Sequence, residues 1–462
     1  MKDEKQELLM EKIVSLAKRR GFVFQGSEIY GGLAGTWDYG PRGVALKNNI
    51  KNLWWRMFVE SRDDMYAVDA AILMNEKVWK ASGHTGAGFT DPVVICNKCK
   101  NRFRGDNVKF KKDDDGKISE RVWICEKCGT ENDFETKQFN LMFETKVGAE
   151  GTIKSYLRPE TAQGIFVNFK NIVDSMNPKL PFGIAQIGKA FRNEIAPRDF
   201  VFRTREFEQM EIEYFVKEDT WEDHFNEWLG RMYSWMEAIG LQKKDIHELD
   251  VPESDRAHYS KKTVDFEFDF PFGRKELYGL AYRTDFDLKN HTEHSGESLT
   301  YFDNEAKEHL TPHVIEPTFG VDRTVLAVLT SAYTEDELGG SISADSGEPK
   351  EKRVYLAFKP SIAPVKAAVF PLLKNKPELV AKAREVYTEL KKHVPQVMFD
   401  DNGNVGKRYR RQDEIGTPVT IVADFQTLDD DTVTMRDRDT GEQERLSINE
   451  AISKIKDASM LG

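Results

Sequence analysis

The sequence predicts an α+β protein of several domains, on three observations. Residues 155 to 330 read mainly as strands and hairpins, residues beyond 352 alternate strand and helix, and four cysteines form two CxxC pairs inside one short insertion. At about 100 to 200 residues per domain, 462 residues favour three domains, with two or four as alternatives. Hydrophobic residues make up 39% and charged residues 31%, a balance that supports a sizeable core and excludes wholesale disorder. The net charge of −11 requires any nucleic-acid partner to be held by local basic patches.

The N-terminal stretch is charged throughout, and no later run reaches the roughly 18 apolar residues of a membrane span. The expectation is a soluble, cytoplasmic protein with no membrane partner. Leu8, Leu9, Ile13, Leu16 and Ala17 have helical spacing and predict an opening amphipathic helix stopped near Gly21. A turn-rich, aromatic segment from Ile29 leads to a second helix beginning just after Pro41.

Between Cys96 and Cys128 lies an insertion with ten basic and six acidic residues around the polar turn KKDDDGK. Strands follow at Gly183 to Phe191, at Arg205 to Phe215, and at 263 to 270, where Val264, Phe266, Phe268 and Phe270 alternate with acids. A helical stretch around Trp221 to Gly240 interrupts them. Residues 335 to 352 are poor in apolar side chains and read as a linker. The last domain then shows a strand at 354 to 358, and a helix after Pro377 with Leu379, Ala383, Val386 and Leu390 on one stripe. Strands at 418 to 424 and 433 to 437 and a closing helix complete it. The expected boundaries are 1–334 for the first unit with an insertion at 90–135, 335–352 for the linker and 353–462 for the last domain.

Cys96, Cys99, Cys125 and Cys128 have the two-knuckle pattern that supplies four thiolates to a structural zinc, with a spacer of 25 residues. A redox pair or unpartnered thiols are the competing readings. On the strand after Arg205, Phe207, Gln209, Glu211 and Glu213 share one face by period two, beside Arg192 on the preceding strand. Guanidinium and ring together suit a nucleotide, the alternative being a salt-bridged surface hairpin. Gly320 and Arg323 open a helical stretch and suit a phosphate near the helix start, or else an exposed arginine in an ordinary first turn. Four basic residues between Lys407 and Arg411, with Tyr409 among them, form the best local RNA footprint, against a solvated loop balanced by Asp413 and Glu414.

The strings WDYGPRGVALKNN, FNLMF, RPETAQG, FRNEIAPRDFVFRTREFEQMEIEYF and EPTFGVDR resemble the class II aminoacyl-tRNA synthetases, and more narrowly the homodimeric glycyl-tRNA synthetases. The resemblance runs from about residue 8 to the C-terminus. It implies an antiparallel six-stranded catalytic sheet flanked by helices, a zinc-ribbon-like insertion and a C-terminal α/β anticodon-binding domain. It also implies a homodimer formed around Gly40 to Glu60, with ATP and Mg²⁺, glycine and tRNA(Gly) as partners.

The implied activity attaches glycine to tRNA(Gly) in two steps through glycyl-adenylate. By this resemblance Arg192 and Arg323 are catalytic. ATP is bound by Arg192, Asn193, Glu194, Phe202, Arg203, Thr204, Arg205, Glu206, Phe207, Glu276, Leu277, Gly320, Val321, Asp322 and Arg323, with Glu276 also a magnesium ligand. Glycine is bound by Arg104, Glu160, Phe207, Gln209, Glu211, Glu316, Thr318 and Gly320, with carboxylates on its ammonium. Thr318 stands where the family usually has serine. The rivals are a class II enzyme for another amino acid, a noncatalytic nucleic-acid-binding descendant, and a zinc-ribbon regulator.

Overall fold

The computed structural model describes residues 2–86, 89–105, 109–110, 122–337 and 352–460; the turn at 111–117 and most of the expected linker lie outside them. The first helix, Lys2–Arg19 (α1), buries Ile13, Leu16 and Ala17 and leaves Leu8 exposed. Helix Pro41–Trp55 (α2) begins with proline, whose missing N–H has no intrahelical partner at that position anyway. Its Gly43 is required by close packing, because a Cβ there would lie 1.9 Å from the Phe22 carbonyl oxygen.

The central sheet has seven strands: Met65–Ala67 (β1), Phe182–Phe191 (β2), Glu206–Val216 (β3), Ile246–Asp250 (β4), Lys262–Phe270 (β5), Gly273–Thr284 (β6) and His313–Gly320 (β7). Their order is β4-β5-β6-β7-β3-β2-β1. β2 to β7 pair antiparallel, giving the expected six strands, and β1 adds a short parallel edge on β2. Helix α2, helix Trp221–Ala238 (α3) and helix Val321–Ala332 (α4) cover one face, where Trp54, Phe58, Trp228, Trp235 and Phe319 form the largest core. Met210, Ile212 and Tyr214 of β3 point into that core. The odd-numbered residues point the other way, Phe215 into a second cluster with Phe166, Phe169, Phe182 and Leu288, and those nearer the strand start into an open cavity.

In the insertion, Thr90–Cys96 pairs with Arg102–Arg104 on one side and Phe134–Asn140 on the other. The C-terminal domain is a five-stranded sheet ordered Val397–Phe399, Ala367–Pro371, Val419–Ala423, Thr432–Asp437, Gln443–Ser447, its first three strands parallel. The stripe Leu379, Ala383, Val386 and Leu390 is buried against it.

The strand expected at 354–358 is Arg353–Leu356, and it joins Tyr333–Asp336 rather than the five-stranded sheet. Buried Arg353 explains the placement, since it pairs with Asp336 at 2.5 Å and with Asp413 at 3.4 Å. Glu335 and Asp336, read from sequence as linker, therefore lie in a ladder. The N-terminal segment also reaches the last domain. Arg20 pairs with Glu414, Phe22 packs edge-on against Phe358, and Asn49 Nδ2 donates to the Ala363 carbonyl at 2.9 Å. Among the described residues no helix is long and apolar enough to cross a membrane.

Candidate active site

A cavity of ≈ 590 Å³ opens over β3, β6 and β7. At one end lie the arginines. The Arg192 guanidinium sits 5.4 Å from the ring centre of Phe207 and 5.6 Å from that of Phe89, and its Nε donates to the Pro159 carbonyl at 3.1 Å. Arg323, in the first turn of α4, lies 4.5 Å over the Phe202 ring and 3.3 Å from Glu276. Arg203, Glu194, Thr204 and Leu277 complete this wall. Guanidinium groups held over aromatic rings suit a nucleotide and its phosphates. Burial, with Glu276 and Glu267 nearby, pushes Asp265 up to about 7 against the pull of Arg323.

At the other end the side chains are acidic. Glu211 accepts from the Thr161 hydroxyl and, at 3.2 Å, from Thr318. Glu160 accepts from Gln163 at 3.0 Å and pairs with His84 at 3.2 Å. Glu316 pairs with Arg283 at 2.8 Å, and Arg283, 1% exposed, also forks onto Asp287 and packs over Tyr259. Glu213 is wholly buried with both carboxylate oxygens unpartnered, and carboxylate oxygens of Glu211, Glu213 and Glu316 lie within 4.8 Å of one another.

This crowding splits the acids. Burial opposes ionisation of Glu160, but His84 and Arg283 hold it well below the usual carboxylate range. Burial and Glu160 raise Glu211, while burial and Glu316 push Glu213 well above its ordinary value. Burial pushes Glu316 up to about 8 against Arg283, with Glu211 and Glu160 adding to the rise. The carboxyl groups thus outnumber the Arg283 guanidinium that pairs with Glu316 among them.

The period-two reading places Phe207, Gln209 and Glu211 on the cavity wall, where Arg104, Glu160, Glu316, Thr318 and Gly320 join them. Arg104 pairs there with Asp91 at 3.0 Å. Asn193, Arg205, Glu206 and Val321 do not line the cavity. Val321 is in the core, Glu206 pairs with Lys189 across the hairpin, the Asn193 backbone N–H donates to Leu141, and Arg205 donates to the Glu194 and Ala34 carbonyls. Asp322 touches the rim but is engaged from behind by Tyr39, Lys47 and the Glu208 backbone N–H. Sequence reasoning missed Arg283, His84 and Asp265. For Arg283 the one signal was an arginine ending the apolar run LYGLAY.

The segment at 406–418 is not a solvated loop but mostly helix Val405–Ile415 (α5). Arg408 is 1% exposed and donates to the Pro371, Asp401 and Gly403 carbonyls. Arg411 forks onto Asp400, Tyr409 packs on Phe370, and Asp413 is buried between Arg353 and Arg436. Arg408 and Arg411 read as exposed because their acceptors are backbone carbonyls and one aspartate outside the run.

The four cysteine sulfurs converge within 4.8 Å, with Cys96 to Cys128 at 3.6 Å and Cys99 to Cys125 at 3.5 Å. Each pair sits on a tight turn, Lys100 N–H to Cys96 O and Gly129 N–H to Cys125 O, with Lys100 and Gly129 at positive φ. Bonds of about 2.3 Å to a tetrahedral zinc put sulfurs roughly 3.8 Å apart, so the donor set fits that ion.

Residues 143–332 match the family model described as tRNA synthetase class II core domain (G, H, P, S and T), and residues 366–458 match the one described as anticodon binding domain. An antiparallel sheet carrying an arginine-lined cavity, joined to such a domain, defines a class II aminoacyl-tRNA synthetase. The chain is 50% identical to a glycine--tRNA ligase of Clostridium acetobutylicum over 97% of its length and 98% of that relative. It is 49% identical to those of Caldanaerobacter subterraneus and Bacillus cereus, over 96% of this chain and 97% of each. The chain belongs to the glycine--tRNA ligase family.

Proposed function

We propose that this protein joins glycine to tRNA(Gly) with the acidic end of the cavity holding the ammonium and the arginine end holding ATP. One observation carries the reading: Glu160, Glu211 and Glu316 face the same cavity as Arg192 and Arg323. Phe207 stacks on adenine, Glu194 reads its edge, Arg192 holds the α-phosphate, and Arg203 and Arg323 hold the distal phosphates. Class II synthetases use Mg²⁺ with ATP, and the ion neutralises phosphate charge; Glu276, beside Arg323, is its candidate ligand here.

The glycine carboxylate attacks the α-phosphorus, forming a carboxyl–phosphate bond as pyrophosphate leaves. The terminal ribose hydroxyl of tRNA then attacks the glycyl carbonyl and AMP leaves. No protein nucleophile is needed, since positioning and charge stabilisation carry the reaction. Acids crowded around one ammonium reject larger side chains sterically, a stronger filter than the roughly 1–3 kcal/mol of one methylene in an apolar pocket. Thr318, bonded to Glu211, adds a methyl to that wall.

The four thiolates hold a structural zinc, and the basic insertion around them meets the acceptor end of tRNA. Residues 1–334 form the catalytic unit and 353–462 the anticodon-binding unit, in a cytoplasmic homodimer joined through the segment Gly40 to Glu60. Amino-acid-dependent ATP–pyrophosphate exchange tests the activity with glycine, alanine, serine, threonine, proline and histidine. Exchange with glycine alone is expected; exchange with a different amino acid, or with none, overturns the reading.

A further inference from the structure

His84 follows the short helix Glu76–Ala81 and is 8% exposed, between the edge of Trp79 and the ring of Phe89. Its Nε2 lies 3.2 Å from Glu160 Oε2, and its Nδ1 lies 2.7 Å from the Ser82 hydroxyl. Its carbonyl accepts from Asn140 Nδ2 at 3.0 Å, while Asn140 Oδ1 accepts from the Met142 N–H at 2.8 Å. Asn140 belongs to the string FNLMF, which thereby anchors the histidine backbone. We propose that His84 is a positioning residue for the amino-acid pocket, fixing the Glu160 carboxylate in the orientation that receives the substrate ammonium.

The chemistry fixes the hydrogens. A carboxylate accepts only, so Nε2 must carry a proton and donate it to Glu160. Nδ1 then either accepts from Ser82 or, in the imidazolium, donates to it, and Ser82 suits both because its hydroxyl also lies 3.4 Å from the Trp79 carbonyl. Glu160 Oε1 is held by Gln163, which His291 contacts at 2.8 Å and whose amide reaches Asp287 at 3.3 Å. Both oxygens are thus held by protein partners while Glu160 lines the cavity. Arg283 spends its hydrogen bonds on Asp287 and Glu316. Among the described residues His84 is the basic side chain within ion-pair distance of Glu160.

This inference rests on the reading that Glu160 meets the ammonium, and the test separates the two. Pyrophosphate exchange is measured on the full chain carrying His84→Ala, His84→Gln, His84→Asn or Glu160→Gln. Losing a hydrogen bond to a charged group corresponds to roughly 10- to 100-fold in affinity. His84→Ala should raise the glycine KM by that factor and leave the ATP KM unchanged. His84→Gln, whose amide nitrogen reaches about as far as Nε2, should restore the glycine KM to within a few-fold, and the shorter His84→Asn should not. If the alanine variant does not fold, the glutamine and asparagine variants make the same comparison.

Equal glycine KM in those two variants, or glycine and ATP KM rising together, overturns the inference. A raised glycine KM in Glu160→Gln beside an unchanged one in His84→Ala overturns it alone. An unchanged KM in Glu160→Gln overturns the ammonium reading and this inference with it.

Discussion

The Tyr39 hydroxyl donates to Asp322 at 2.6 Å, tying the WDYGP segment to the first turn of α4 beside Arg323. Asp322 also accepts from the Glu208 N–H at 2.7 Å, next to Phe207, and Lys47 of α2 pairs with Glu208 at 2.8 Å. A buried network behind the cavity thus braces the residues assigned to adenine and the distal phosphates.

Removing Tyr39's donor by Tyr39→Phe leaves Asp322 its other partners, so the expected loss is about 1 kcal/mol, read as a several-fold rise in ATP KM with glycine KM unchanged. Lys47→Met leaves Asp322 without its buried cation and Glu208 with Lys51 alone. It should cost about 3 kcal/mol in chemical denaturation. Equal stability of the Lys47→Met protein and the parent would sink this account.

Arg283 is a buried guanidinium among the acids at this end of the cavity, bonded to both Asp287 and Glu316. Arg283→Met strands two buried carboxyls and should cost about 3–5 kcal/mol, lowering the denaturation midpoint of the catalytic unit. Restoration by a second change, Asp287→Asn, would assign the loss to unpaired charge rather than to packing.

Below about pH 8 the free pocket keeps a proton on Glu316, since burial raises that group to about 8. An incoming ammonium favours the ionised acid, so binding expels the proton. Glycine KM should therefore fall between pH 6 and pH 8, by at most about tenfold per unit for one proton. Because the folded state raises this group, its contribution to stability is full below the unfolded carboxylate range and is lost as pH rises through about 8. Without glycine the thermal midpoint should accordingly be lower at pH 9 than at pH 6, and glycine should protect more at pH 9. A glycine KM that climbs with pH over this window contradicts the assignment.

Metal analysis of the purified chain should find one zinc per protomer, and Cys99→Ser should lose it. Chelation should lower the melting temperature of the insertion and weaken glycine-dependent pyrophosphate exchange with it, because the strand that ends at Cys96 pairs with Arg102–Arg104 and so helps to hold Asp91 and Arg104 on the cavity wall. Zinc-free protein of undiminished stability would reduce the cluster to four thiols.

Local periodicity carried much of the architecture. β2, β3, β5 and the helix stripe from Leu379 to Leu390 were readable because alternation by two or by 3.6 writes the buried face into consecutive residues. The acids of β3 were legible for the same reason. Arg283, His84 and the Tyr39–Asp322 pair were not, because their meaning lies in partners far along the chain. β1, of three residues, leaves no period to read. Arg408 shows the reverse error, since a basic residue in a basic run gives no sign that backbone carbonyls enclose it.

Helix α1 and Phe22 are completed by contacts with Phe358 and Glu414, close to the far end of the chain. A ribosome adding about 5–20 residues per second makes Glu414 roughly 20–80 s after Arg20. During that interval the first helix has been synthesised but Glu414 has not, so the pairing of Arg20 with Glu414 forms after the catalytic sheet has been made. A chain cut short before Phe358 would leave the Phe22 ring and the Arg20 guanidinium without these two partners.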